Sequence, residues 1–247
     1  MVAVIRSLLS YVLVISLVVG LFLPALIIWF LTLPFDRERL ILHYYTCFWG
    51  SLFVWTNPMW YVSVTNRHRI KKGKTYILVS NHQSVFDIVA IYLLFRRFKW
   101  VSKSENYALP VIGWTLWLNN YIKIERESRK SIMKMMKDCE EAIRNGNSIM
   151  MFPEGTRSLD GELRQFKTGA FLLALNTKTP ILPIILDGSG IVLPKKGFIL
   201  RPNRNIKLNV MEEIPVEKFE HLNAVELMNM TRKIMERELH RLRQPSA

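Results

Sequence analysis

Cysteine is scarce in this chain, with two among 247 residues. Cys47 falls in an apolar stretch and Cys139 in one with helical spacing, a placement that excludes a disulfide framework or a zinc site and fits a reduced compartment. Acidic residues are also few: 20 Asp and Glu face 34 Lys and Arg, for a net charge of +14. No internal repeat or low-complexity tract occurs, which argues against a solenoid or a long disordered region. A G-x-S-x-G elbow is missing too, so a hydrolase-type serine nucleophile has no seat. No nucleic-acid motif accompanies the basic charge, and nucleic acid is not expected as a partner.

Charge is absent from two long stretches. Residues 7–35 carry none, and residues 40–66 hold His43 as their one imidazole. Each is longer than the roughly 20 apolar residues that span a bilayer. The apolar core of a cleaved signal peptide would be about 7–15 residues. This first stretch is about twice that and runs almost directly into the second, so it is expected to be retained. Only the link DRER (36–39) separates the two stretches. Together they predict a membrane-embedded two-helix hairpin over 1–66, followed by a second domain over 67–247.

Gly20 and Pro24 interrupt the first helical pattern, since proline removes a backbone donor. The second stretch is crowded with Tyr44, Tyr45, Phe48, Trp49, Trp55, Trp60 and Tyr61, ring types that favour the headgroup level. A hairpin that dips in and returns is therefore favoured over two clean spans. Through Asn66, three Arg stand against one Asp and one Glu, or +1, which leaves +13 of the +14 for the remainder. Such a body suits the cytoplasmic face of a cell membrane, where anionic lipids attract each Lys or Arg by about 1 kcal/mol.

Beyond residue 75, strand-like runs alternate with helix-like ones. Strands are predicted over 76–80, 99–102, 121–124, 148–152, 181–186 and 206–211. A helix is predicted after Ser128, with Ile132, Met135, Met136, Cys139, Ala142 and Ile143 on one face and Gly146 as its stop. Asn223 and Glu226 form a capping-box pattern, followed by a stripe of Val225, Met228, Met235, Leu239 and Leu242. The expected fold class is α/β, a mainly parallel sheet flanked by helices.

Sites in such a fold gather where strands end and helices begin. NHQSVFD (81–87) is at one such junction. Ser84 can be a helix N-cap with Asp87 in the first turn, a structural arrangement. The same turn also lets Asp87 orient His82, whose ordinary pKa near 6.5 suits a general base. Both readings stand on these residues alone. A second loop, PEGTRS (153–158), offers Gly155 for a tight turn, the hydroxyls of Thr156 and Ser158, and the planar fork of Arg157. Lys167 and Gly169 open the next helix, whose N-terminus favours an anion. Lys103 and Arg126 follow two further strands and are equally compatible with plain surface charge.

These blocks resemble those of the glycerolipid acyltransferase family, in particular its bacterial 1-acylglycerol-3-phosphate acyltransferases. NHQSVFD is similar to the family's N-H-x4-D block, YIKIER (121–126) to its second, FPEGTRS (152–158) to its third and TPILPI (179–184) to its fourth. The likeness covers residues 75–195 and departs at Asn120, where the second block often has glycine.

The resemblance implies His82 as base and Asp87 as its orienter. It implies Glu154, Gly155, Thr156 and Arg157 as the acceptor-phosphate site, with Lys103 and Arg126 as helpers. Pro183 is implied on the acyl-donor side. The implied reaction moves a fatty acyl group from acyl-coenzyme A or acyl carrier protein to the sn-2 hydroxyl of lysophosphatidic acid, giving phosphatidic acid, with no metal, no cofactor and no acyl-enzyme. Glycerol 3-phosphate or another lysophospholipid is the alternative acceptor. The alternative class is a non-catalytic membrane protein binding anionic lipid. Expected partners are membrane lipids, the lysophospholipid acceptor and acyl carrier protein.

Overall fold

The structure is a computed structural model, described here for residues 2–57, 60–202 and 204–244. Helices α1 (Val2–Gly20) and α2 (Phe22–Thr32) form one nearly continuous run broken at Leu21. Pro24 accounts for the break: it cannot donate to the Gly20 carbonyl, and its ring crowds that group. After the link, α3 (Leu40–Trp55) starts on a cap made by Asp36, whose carboxylate accepts from the amides of Leu40 (2.9 Å) and Ile41 (2.7 Å).

The sequence predicts a membrane-embedded two-helix hairpin, and in the structure its two arms have different surroundings. The run over 2–32 leaves Leu8, Val12, Ile15, Val19, Leu23, Ile27, Phe30 and Leu31 exposed. Among the described residues it is the one helix long and apolar enough to cross a membrane. Helix α3 instead buries Cys47, Trp49, Gly50 and Val54. It packs so closely on α4 (Phe86–Tyr92) that a Cβ on Gly50 would come within 2.7 Å of the Tyr92 ring.

The boundary at residue 66 also shifts. Trp60–Thr65 form strand β1, which the apolar reading had absorbed into the anchor. The run WYVSVT alternates, with Trp60 and Val62 buried and Tyr61 and Thr65 exposed, and it pairs with residues 204–209. Aromatic and β-branched residues raise hydropathy and strand propensity together, so composition alone could not separate the two.

The remaining strands are β2 (Ile77–Ser80), β3 (Phe98–Lys103), β4 (Ile122–Ile124), β5 (Ser148–Met151), β6 (Ile181–Asp187) and β7 (Arg204–Val210). Among the described residues they form a sheet in the order β1-β7-β6-β2-β5-β3-β4. The β6–β7 pairing is antiparallel and the others are parallel. All six predicted strands lie at their expected places. Two apolar layers sandwich the sheet: Leu78, Ile91, Phe98 and Met150 belong to one, and Ile77, Ile149, Phe171 and Leu227 to the other.

Helix α5 spans Ile112–Leu118, and α6 spans Arg129–Arg144 with Ser128 as its cap and Gly146 at φ +78° beyond its end. Helix α7 covers Gly169–Thr177, α8 Ser189–Val192, and α9 Ala224–Arg243. The capping box of Asn223 and Glu226 opens α9, whose stripe buries Met228, Met235 and Leu239 but leaves Val225 exposed in its first turn. Asn120, at the position where the resembled block often has glycine, has φ +51°, a left-handed conformation that asparagine tolerates better than most residues.

The link between the apolar segments is fastened to the α/β body. Glu38 accepts from the side-chain amides of Asn145 (2.8 Å) and Asn147 (2.6 Å), while the buried Lys99 ammonium donates to the carbonyls of Glu38 (2.7 Å) and Asn119 (2.8 Å). Burial pulls the Lys99 ammonium down to about 8. Along the first half of α1, the Tyr11 hydroxyl donates to Phe198 O and the Leu200 amide to Ser7 Oγ.

Candidate active site

Strands β6, β2 and β5 are adjacent and parallel, so their C-terminal ends open on one edge of the sheet. From β2 the chain runs through 81–85 into α4. Asn81 plugs the exit: its amide group donates to Leu186 O (2.7 Å) and accepts from Leu186 N (2.8 Å), which stitches the loop to the end of β6. His82 is then held over the sheet edge, its ring stacked on Phe152 with centroids 4.0 Å apart and planes 10° from parallel. Its side chain is 16% exposed, and that of Asp87 is fully buried.

His82 Nδ1 and Asp87 Oδ2 are 2.8 Å apart. The same oxygen accepts from the amides of Gln83 (2.6 Å) and Ser84 (2.8 Å). Asp87 is therefore an orienter of the imidazole and an organiser of its own loop at once. Ser84, expected as the α4 cap, stands one residue before the assigned cap position and makes the capping bond weakly, its hydroxyl accepting from the Phe86 amide at 3.4 Å. The cap position is Val85, without a side-chain bond, and the Ser84 hydroxyl donates to Leu193 O (2.8 Å).

The second loop is bound directly to the first. The Ser158 amide donates to His82 O at 2.7 Å, and Glu154 Oε1 accepts from the His82 amide at 2.9 Å. Glu154 Oε2 accepts from the Arg164 amide at 3.2 Å. Glu154 was expected at the acceptor phosphate, but it is buried and both its oxygens serve as braces inside the loop pair. Burial pushes its carboxyl up to about 7, opposed by the two amide bonds and reinforced by the nearby Asp87 charge.

Gly155 has φ +70°, and a Cβ there would lie 3.2 Å from Lys167 Cε. Thr156 is exposed and Arg157 half-buried at the loop's tip. A residue that the sequence reading missed joins them. The Lys195 ammonium donates to Thr156 Oγ1 (3.1 Å) and Arg157 O (2.8 Å). Nothing local in LPKKGF marks it, because the contact forms only when the segment after α8 returns over the loop.

The other expected residues stand apart. Lys103 ends β3 and pairs with Glu105 on the surface. Arg126 follows the edge strand β4 and is exposed. At about 4.8 Å per strand, β3 and β4 are roughly 10 and 14 Å from β2. Pro183, expected on the acyl-donor side, is buried inside β6 opposite Val79, with its carbonyl accepting from Met211 N (2.9 Å). That place makes it part of the sheet, not a wall of the site.

The model of the family described as Acyltransferase matches residues 61–187 of this chain. A 1-acyl-sn-glycerol-3-phosphate acyltransferase of Chlamydomonas reinhardtii is 33% identical over 234 residues, covering 94% of this chain and 68% of that protein. A chloroplastic protein of the same description from Arabidopsis thaliana is 32% identical over 184 residues, covering 74% of this chain and 51% of its own length. The crystal structure of the 1-acyl-sn-glycerophosphate acyltransferase PlsC from Thermotoga maritima has the same fold. Its TM-score is 0.81, with 99% of both chains covered at 24% identity.

Proposed function

This chain belongs to the acyltransferase family, and from that premise we propose that it transfers a fatty acyl group from a thioester to the sn-2 hydroxyl of lysophosphatidic acid, giving phosphatidic acid. The observation that carries the reading is the His82–Asp87 contact of 2.8 Å at an edge shared with the PEGTRS loop. With Nδ1–H donating a hydrogen bond to Asp87, the neutral imidazole has its lone pair on Nε2. Nε2 takes the proton of the acceptor hydroxyl, and Asp87 stabilises the imidazolium that results. The hydroxyl oxygen attacks the thioester carbonyl, a tetrahedral oxyanion forms, and its collapse breaks the C–S bond and expels the thiolate, which takes the proton from the His82 imidazolium and restores the neutral base. Arg157, helped by Lys195 and Lys167, holds the acceptor phosphate at the loop tip. The donor is acyl-coenzyme A or acyl carrier protein, and no cofactor enters the scheme.

In this reading the chain works at a membrane, on its cytoplasmic face. The exposed apolar side of α1 and α2 gives contact with lipid, which is where a lysophospholipid resides. The ties from Ser7 and Tyr11 to residues 198–200, and from Glu38 to Asn145 and Asn147, favour a helix run that lies beside the α/β body over one that carries the link through a bilayer.

The deciding experiment offers lysophosphatidic acid, glycerol 3-phosphate and lysophosphatidylglycerol in parallel to the purified protein with an acyl thioester. Transfer to lysophosphatidic acid in preference to the other two is expected. Exclusive use of glycerol 3-phosphate would overturn the acceptor assignment.

A further inference from the structure

The turn after β6 reads Asp187-Gly188-Ser189-Gly190. Ser189 is fully buried, and its hydroxyl donates to Asp87 Oδ1 at 2.5 Å. Other buried hydroxyls, such as Thr46 and Ser51, donate to the carbonyl one turn back in their own helix. Ser189 instead reaches across 102 residues of sequence to a charged group.

The backbone on either side of it has little freedom. Gly188 has φ +91°, and a Cβ there would come within 2.6 Å of Asn205 O. Gly190 lies against Gln83, where a Cβ would be 3.2 Å from that side chain. The two glycines thus let the turn wedge between β7 and the His82 loop, and the wedge aims the hydroxyl. Asp87 then has donors on both oxygens: His82 Nδ1 and the amides of Gln83 and Ser84 on Oδ2, and Ser189 on Oδ1.

We propose that Ser189 is a positioning residue for acyl transfer. Its hydroxyl stops the Asp87 carboxylate from rotating, so that Oδ2 stays in line with the imidazole, and it draws negative charge towards Oδ1. The inference rests on His82 acting as the base. Without the hydroxyl, Oδ1 is left buried and unpaired. The imidazolium then faces a more basic carboxylate, or the carboxylate takes a proton itself. Either event moves the acid limb of the pH–rate profile to higher pH.

The test compares full-length wild type with Ser189→Ala, Ser189→Cys, Ser189→Thr and His82→Ala, using lysophosphatidic acid and an acyl-coenzyme A. Cysteine is close to serine in size but a weak donor, so it keeps the packing and removes the bond. We expect Ala and Cys to lower kcat by about 10- to 100-fold with an unchanged acceptor KM, and to shift the acid limb upward. Threonine keeps the hydroxyl and should recover most of kcat and the wild-type limb. Wild-type kcat and limb in the Cys and Ala variants would overturn the proposal. So would a Thr variant as impaired as Ala with the limb unmoved, since packing alone would then explain the loss. Turnover surviving His82→Ala would overturn the base assignment itself. An inactive His82→Ala beside an unaffected Ser189→Cys would overturn only the role of Ser189.

Discussion

The amide of Ser158 donates to the carbonyl of His82 at 2.7 Å, so the tip of one loop hangs from the residue proposed as the base in the other. The two residues leave neighbouring strands, β5 and β2, and Glu154 adds a second tie through the His82 amide. The loop proposed to hold the acceptor and the residue proposed as the base are thereby tied together at two points.

Removing the base should therefore be clean. His82→Ala is expected to abolish acyl transfer while far-ultraviolet circular dichroism and Tm stay near wild type, because the ties to Ser158 and Glu154 run through the backbone. Asp87→Asn should cost kcat by about 10²–10⁴-fold and also lower Tm, since the same oxygen organises two amides. Full turnover in either variant would remove the pair from the mechanism.

Glu154 yields a pH prediction. Its folded carboxyl titrates near 7 and its unfolded one near 4.5, so the folded protein holds the extra proton between these values. The contribution of Glu154 to stability then falls as pH rises from about 4.5 to 7, the opposite of a salt-bridged carboxylate. Denaturant titrations across that window should show Glu154→Gln losing this downward slope. The variant should also be about 1–3 kcal/mol less stable at acid pH, because a side-chain amide cannot accept from both backbone donors. Parallel pH profiles for the two proteins would contradict the assignment.

Arg157→Ala and Lys195→Ala separate binding from chemistry. Each should raise the KM for lysophosphatidic acid about tenfold and leave kcat within a small factor, as loss of one charge-assisted bond to a phosphate would. An acceptor lacking the phosphate should be indifferent to both changes. If KM is unmoved in both variants, the phosphate is held elsewhere.

The link over 36–39 can be located with a single thiol. The native Cys47 and Cys139 are buried, so Arg37→Cys places the one accessible thiol at the exposed position of this link. In sealed vesicles an impermeant maleimide should label it from the side where the α/β body is digested by added protease. Labelling only from the opposite side would mean that the run over 2–32 crosses the bilayer.

Much of this protein was determined by local sequence. Period-2 and period-3.6 patterns located β2 to β7 and α6, the Asn223–Glu226 box opened α9, and the spacing in NHQSVFD joined His82 to Asp87 within one turn. Such features depend on near neighbours and survive without knowledge of the rest. Tertiary structure decided what depends on crossing strands. WYVSVT became a strand only because residues 204–209 supply its ladder, and one face of α3 became interior where α4 covers it. Glu154 became a brace, and Pro183 a sheet residue, when β6, β2 and β5 came side by side. Lys195 and Ser189 reached the site from far along the chain, through contacts that no local pattern encodes. Whether a polar group faces substrate or holds a loop depends on which donors reach it first, and the sheet order settles that.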